Sequence, residues 1–321
     1  MSEANAATTS ARIEHLSLFA HPIGMNIKYL LGALLVAAIP LSAGAAVDAK
    51  YKSDIENWRT KAEKSLRSDN GWLTLAGRHE LSVGVNTIGT AGDNKIVLAP
   101  GIAPAHLGTI TVDDDKVTLK LAPGIEMFNA RSDTLGFSER TLKTDLDNRD
   151  WVYLGRMSFH VIKRDDNRFV LRVADQESPV RKNFAGRIWY DINPALKVDA
   201  KFVPYAGKRI DIVNVLGEVS EEEVAGYLEF KLNGKTYKLD ALADPGEPLF
   251  VIFGDNTGKS TTYPSGRFLQ VETPVNGKTV IDFNKAYNPP CAFSAYTTCP
   301  LPPPQNMLKA SIAAGEKFRG H

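Results

Sequence analysis

Between residues 72 and 313 the apolar side chains recur in short alternating runs, separated by Gly, Asn, Asp and Pro, and no helical spacing intervenes. Alternation with a period of two sends successive side chains to opposite faces, so each run reads as a strand. The first group predicts strands over 72–75, 86–88, 95–98, 108–112, 116–121, 151–154, 157–163 and 169–173. A second group covers 187–190, 198–202, 208–215, 226–232, 235–239, 249–253, 268–271, 280–283 and 308–313. Many short strands without crossover helices exclude a doubly wound sheet and predict a mainly β fold of sandwiches or barrels. Two β modules follow, 71–175 and 176–321, joined near 175–184. Ahead of them Ser53-Asp54-Ile55-Glu56 has the form of a capping box, and Ile55, Trp58, Ala62 and Leu66 fall at helical spacing before Asp69-Asn70-Gly71. This predicts one short helix within 47–70.

The amino terminus reads as an export signal. Lys28 precedes an apolar run over 29–41, and Ser42-Ala43-Gly44-Ala45-Ala46 supplies small residues for cleavage. The run is about a dozen residues long and carries Gly32 and Pro40, whereas a spanning helix needs about twenty apolar residues. Cleavage after Ala45 or Ala46 is therefore favoured over a retained anchor, and Met25 offers an alternative start that leaves 1–24 upstream. No Cys follows the run, which removes a lipid anchor. The expected product is soluble, periplasmic or secreted from a bacterium, with no stable membrane insertion after cleavage. Cys291 and Cys299 are the only cysteines, and outside the cytosol a disulfide between them is expected. A zinc site is not, because four ligands are needed and His79, His106, His160 and His321 show no paired spacing near the cysteines.

Charge excludes one class of partner. With 38 Lys and Arg against 37 Asp and Glu, the net charge of +1 lacks the basic excess of a nucleic-acid binder. Asp113-Asp114-Asp115 reads as a solvated hairpin tip, since no Gly and no distal Glu complete a calcium loop. Gly254-Asp255-Asn256-Thr257-Gly258-Lys259-Ser260 ends like a phosphate loop but has three residues between its glycines and no helix after it. It is read as a turn. No nucleophile elbow, zinc-binding helix or dinucleotide fingerprint occurs, and no cofactor is expected.

Two resemblances add to this. Gly84-Val85-Asn86-Thr87-Ile88-Gly89, Asn94-Lys95-Ile96-Val97-Leu98 and the run from Val152 to Val161 resemble the forkhead-associated sandwich. In that family an Arg and a Ser-Arg…His segment hold a phosphothreonine; Thr90 replaces the Arg here, and only His106 hints at the second segment. The resemblance implies a scaffold and argues against phosphopeptide binding. In the last third, Asp282-Phe283-Asn284-Lys285-Ala286-Tyr287-Asn288-Pro289-Pro290-Cys291-Ala292-Phe293 leads to Cys299-Pro300-Leu301-Pro302-Pro303. With Gly71-Trp72-Leu73, Arg267-Phe268-Leu269 and Ala314-Gly315-Glu316-Lys317, this closely resembles an uncharacterised bacterial domain-of-unknown-function family (DUF1684), over about residues 58–318. The resemblance brings no activity with it.

Candidate site residues come from strand alternation. Asp282 and Asn284 share one face, Ile281 and Phe283 the other, and Arg267 falls with Leu269 and Val271 on an inward face. A buried Arg demands a carboxylate, which points to Asp255 or Asp282. Asp255, Thr257, Arg267, Asp282, Asn284, Tyr287 and Glu316 then have two readings. In one they form a structural network that pins the proline-rich loop to the second module. In the other, Asp282, Asp255 and Glu316 line a pocket, one as general base or cation ligand, with Arg267 on an anionic substrate group. Arg172 and Arg181, beside the module junction, are read as surface or interdomain pairing and not as substrate-binding groups. No nucleophile and base stand together, so no catalytic residue is assigned. The function expected is non-catalytic binding of a small ligand or envelope component. The alternative is a hydrolase-type enzyme using the carboxylate and Arg cluster.

Overall fold

Helix α1 (Ala49–Leu66) begins four residues before the expected capping box, because Asp48 takes the cap and accepts the Tyr51 N–H at 2.8 Å. The computed structural model describes residues 47–164, 167–243 and 247–320; the export-signal and Met25 readings lie outside the described residues. Within the unit from Ala46 to His321 the fold is mainly β.

The strands up to the junction are β1 (Leu75–Leu81), β2 (Gly84–Gly89), β3 (Ile96–Val97), β4 (Gly108–Asp113), β5 (Lys116–Leu121), β6 (Glu139–Leu142), β7 (Val152–Leu154), β8 (Met157–Lys163) and β9 (Phe169–Asp175). They form a four-stranded sheet, β1-β9-β8-β7, and a five-stranded sheet, β3-β2-β4-β5-β6. Ile88, Ile110 and Leu119 from one sheet pack with Phe159, Leu171 and Val173 from the other. The second faces of β8 and β9 are covered as well: Ser158, His160, Arg172 and Ala174 alternate with the core residues and are also buried.

A short helix α2 (Pro179–Asn183) leads to β10 (Lys197–Pro204), β11 (Arg209–Val213), β12 (Val219–Leu232), β13 (Lys235–Leu242), β14 (Leu249–Phe253), β15 (Arg267–Val271) and β16 (Lys278–Asp282). These make one curled, half-barrel sheet in the order β15-β14-β13-β12-β10-β16, with β11 on the remaining length of β12. Leu228, Phe230, Val251, Phe253, Leu269 and Phe283 fill its concave side.

Some expected strands change form. Trp72–Thr74 is a 3-10 turn, and the strand proper starts at Leu75. Its polar run Arg78-His79-Glu80 hides it from a pattern search. The expected strand at 187–190 reduces to one bridge, Trp189 with Glu316. The stretch 308–313 forms no ladder among the described residues, since its carbonyls turn to other donors: Ala310 accepts from the Asn256 N–H, and Ile312 from the Arg267 guanidinium.

The disulfide Cys291–Cys299 is present. It closes a loop of 8 residues, which in the chain-entropy picture removes about 2–3 kcal/mol of unfolded-state freedom. The segment after it is tied to β11 by Val215 N–H to Cys299 O at 3.0 Å and Leu301 N–H to Val213 O at 2.8 Å. No helix among the described residues is long and apolar enough to cross a membrane.

Candidate functional site

The residues singled out from the pattern fall into three closed clusters. In the first, Arg267 opens β15 and is 1% exposed. Its guanidinium donates to Asp255 Oδ2 and to the carbonyls of Ala314 and Ile312, and lies 5.1 Å from the centre of the Phe253 ring. Asp255 Oδ1 accepts the Thr257 N–H at 2.6 Å, and the Thr257 hydroxyl also bonds that oxygen. Of the two expected partners for Arg267, Asp255 is the one bonded.

Asp282 belongs to the second cluster. Its two oxygens accept from Tyr51 Oη at 2.9 Å each, and Oδ1 also accepts the Asn284 N–H at 3.1 Å. Asn284 Nδ2 donates to the Asn193 carbonyl at 2.9 Å, while its Oδ1 takes the Asn193 N–H at 2.8 Å. Burial, and then the Asp282 carboxylate, push the Tyr51 hydroxyl above the usual tyrosine range. The cluster fastens the first turn of α1 to the end of β16.

Glu316 centres the third. It is 1% exposed, accepts from Arg187 Nη1, and takes the Asn288 N–H at 2.8 Å. Gly315 makes this turn with φ of 75°, and a Cβ there would stand 2.4 Å from the Ala286 carbonyl oxygen, so the position requires glycine. Burial pushes the Glu316 carboxyl up to about 7; the Arg187 guanidinium pulls the other way without winning. Tyr287 exchanges both backbone bonds with Phe268, and its ring touches Trp58 and Phe268. Desolvation raises its hydroxyl above the ordinary value. Asp255, Asp282 and Glu316 thus do not converge on one space.

An open concavity lies next to the third cluster. A groove of about 730 Å³ is lined by Arg59, Thr60, Glu63 and Lys64 of α1, by Arg67 and Ser68 just after its end, and by Arg187 and Trp189. Trp189 forms its apolar wall, with the guanidinium carbons of Arg59 and Arg187 at 5.0 and 5.9 Å from the ring centre and Trp58 edge-on behind it at 5.7 Å. Arg67 is held by Glu63 Oε1 at 2.9 Å and by the Phe184 carbonyl at 3.0 Å; Arg59 donates to the Tyr190 carbonyl at 3.1 Å. Nε of Arg59 and Nε of Arg187 have no hydrogen-bond partner. Four cationic side chains face a single carboxylate, and Glu316 behind the wall fixes Arg187 in place. These residues of α1 and its C-terminal end were missed in the sequence, although Arg59, Glu63 and Arg67, like Thr60, Lys64 and Ser68, stand at spacings of four that mark one helical face. Among the described residues no group of three His, Cys, Asp or Glu side chains is placed to hold a metal ion.

No curated protein matches the chain. A solved relative is the solution NMR structure of the uncharacterized protein from gene locus rrnAC0354 of Haloarcula marismortui, 30% identical over 43% of this chain and 78% of its own, with a TM-score of 0.37. Residues 182–317 match the model of a family described as a protein of unknown function (DUF1684). That segment holds Arg187, Trp189, the disulfide and all of the three clusters except Tyr51, while α1 lies outside it. The chain belongs to the DUF1684 family.

Proposed function

We propose that the protein is an exported, non-catalytic binding protein for a small ligand that joins an anionic group to an apolar body. The observation that carries this reading is the groove between α1 and Trp189, where Arg59, Lys64, Arg67 and Arg187 surround one indole wall. Arginine forks suit a carboxylate or phosphate, and the indole face suits the rest of the ligand. An envelope component of that chemistry is the class of natural ligand we favour. The hydrolase alternative asks Asp255, Asp282 or Glu316 to meet a substrate; each carboxylate is instead bonded within its own enclosed cluster, which favours binding over chemistry. The first sandwich is proposed as a forkhead-associated-like scaffold without phosphopeptide binding, since Thr90 lacks a guanidinium and His106 is exposed beside Asp93 at 3.8 Å.

Calorimetric titration with phenyl phosphate and benzoate, beside phenol and benzamide as neutral controls, tests the groove. The anions should bind and the neutral molecules should not. Arg59→Gln and Lys64→Gln should each weaken binding about tenfold, or about 1.4 kcal/mol. Anions that bind no better than their neutral counterparts, or variants that bind like the parent, would remove the reading. The export part is tested by mass spectrometry on protein recovered from its own cells: cleavage after Ala45 or Ala46 is expected, and an intact segment 1–46 overturns it.

A further inference from the structure

The second face of the four-stranded sheet carries a row of basic groups several of whose buried polar atoms have no hydrogen-bond partner. The strand register sets Arg78 of β1 opposite Arg172 of β9, and Arg172 opposite His160 of β8. Directly opposed residues share a face, with their Cα atoms about 4.5–5.5 Å apart, so the three side chains form one line across the sheet. Ser158, two residues before His160, projects from the same face. His160 is 3% exposed and Arg172 9%. Both ring nitrogens of His160, Nε of Arg172, Nη2 of Arg78 and Oγ of Ser158 are buried without hydrogen-bond partners. Arg172 donates to Thr298 Oγ1 at 3.2 Å, and that is a neutral acceptor. Arg78 has one long ion pair, with Glu80 at 3.5 Å.

The missing groups are acceptors, and the missing charge is negative. Arg78, Arg149 and Arg164 all disfavour the charge on Arg172, and among the carboxylates Asp145 favours it. Glu218 is bonded by Arg164 at 2.6 Å and by Arg168 at 2.8 Å, and Glu80 by Arg168 at 3.0 Å, so these two carboxylates are engaged at the rim. Burial, and then Arg149 and Arg172, bring His160 down to about 3, which leaves a neutral imidazole with one N–H to give. Buried donors without acceptors are rare in folded proteins and ask for a bound partner. The most exposed part of the row lies at the edge strand β1, where the Arg78 side chain is 17% exposed and Trp72, 5.7 Å from the Arg172 guanidinium, is 38% exposed. The Trp151 ring lies tilted against His160, with ring centres 4.2 Å apart.

We propose that Arg78, Arg172, His160 and Ser158 form a binding site for a small oxyanion of the phosphate class on this face of the four-stranded sheet. The two guanidinium groups supply charge and forked N–H donors, the imidazole N–H and the serine hydroxyl supply further donors, and the anion supplies acceptors to each. The site is separate from the groove beside α1 and does not depend on it.

The test is a titration of the histidine-labelled protein with inorganic phosphate, matched in ionic strength with chloride and followed by NMR of the His160 ring. His160 should shift saturably with a dissociation constant below about 1 mM, and its titration midpoint should rise when phosphate is bound. Arg172→Gln should weaken this response at least tenfold, whereas Lys64→Gln, in the groove, should leave it unchanged. Should Arg172→Gln fail to fold, Ser158→Ala serves in its place with a several-fold loss. A His160 ring that responds equally to chloride overturns the proposal and leaves ordered water as the partner. A phosphate response that persists in Arg172→Gln, or in Ser158→Ala where that stands in, also overturns it, as does one lost in Lys64→Gln.

Discussion

Arg267→Met is expected to lower the stability of the folded chain by about 3–5 kcal/mol, the range for removing one partner of a buried ion pair. Both side chains of the pair are 1% exposed. Methionine fills much of the same volume but leaves the Asp255 carboxylate without its counter-ion and removes the guanidinium bonds to the Ala314 and Ile312 carbonyls, of which Ile312 keeps the Ala314 N–H at 2.9 Å. An uncompensated charge in an apolar surrounding is the larger part of that loss. Urea unfolding at neutral pH measures it, and a double-mutant cycle with Asp255→Asn separates pair from packing. The double variant should lose less than the two single losses added together, because the second substitution removes the stranded charge. A loss below about 1 kcal/mol for Arg267→Met would show that the guanidinium is not structural and would return it to the list of groups free to hold a substrate.

Glu316 makes the fold sensitive to pH. Its carboxyl moves from an ordinary 4.5 to about 7 on folding, so between these values the folded chain binds the proton that the unfolded chain has released. Stability from this group is therefore complete below about pH 4.5 and is lost as pH rises through about 7. The shift corresponds to about 3 kcal/mol. Glu316→Gln keeps the neutral form at all pH values and should flatten this part of the profile. Urea midpoints at pH 5 and pH 8 should diverge for the parent and converge for the variant, once the titrations common to both are subtracted. Equal slopes in the two proteins would assign Glu316 an ordinary carboxylate and refute the shift. The same proton touches the groove, since the ionised form holds Arg187 more strongly against Trp189.

Alternation revealed the inward direction of Arg267 because Leu269 and Val271 follow it at intervals of two, and Asp255 stood just beyond the neighbouring strand. It did not reveal that Asp282 faces α1, since no local pattern announces that Tyr51 returns across 231 positions to bond it. The groove combines a helix face with a loop residue, so neither part carries the whole signal. Strands β8 and β9 were visible as apolar runs, but a run buried on both faces does not say which of its polar residues meet. Arg78, Arg172 and His160 become neighbours only when three strands take their register. Strand β1, which the pattern does not announce, belongs to the same difficulty: Arg78-His79-Glu80 looks like a loop until its partner β9 is in place.

The proline-rich segment behind the disulfide has a consequence for association between molecules. β11 pairs with β12 along one side, and residues 299–301 meet its C-terminal end on the other through the bonds at Val213 and Val215. Without those bonds the backbone at 213–215 would present an unpaired sheet margin, the kind of surface on which a second chain adds a strand. Cys291–Cys299 closes the loop that carries this cover. Oxidation of two thiols is thereby tied to one stretch of sheet margin: the crosslink that stiffens a loop also anchors the segment that pairs with residues 213–215.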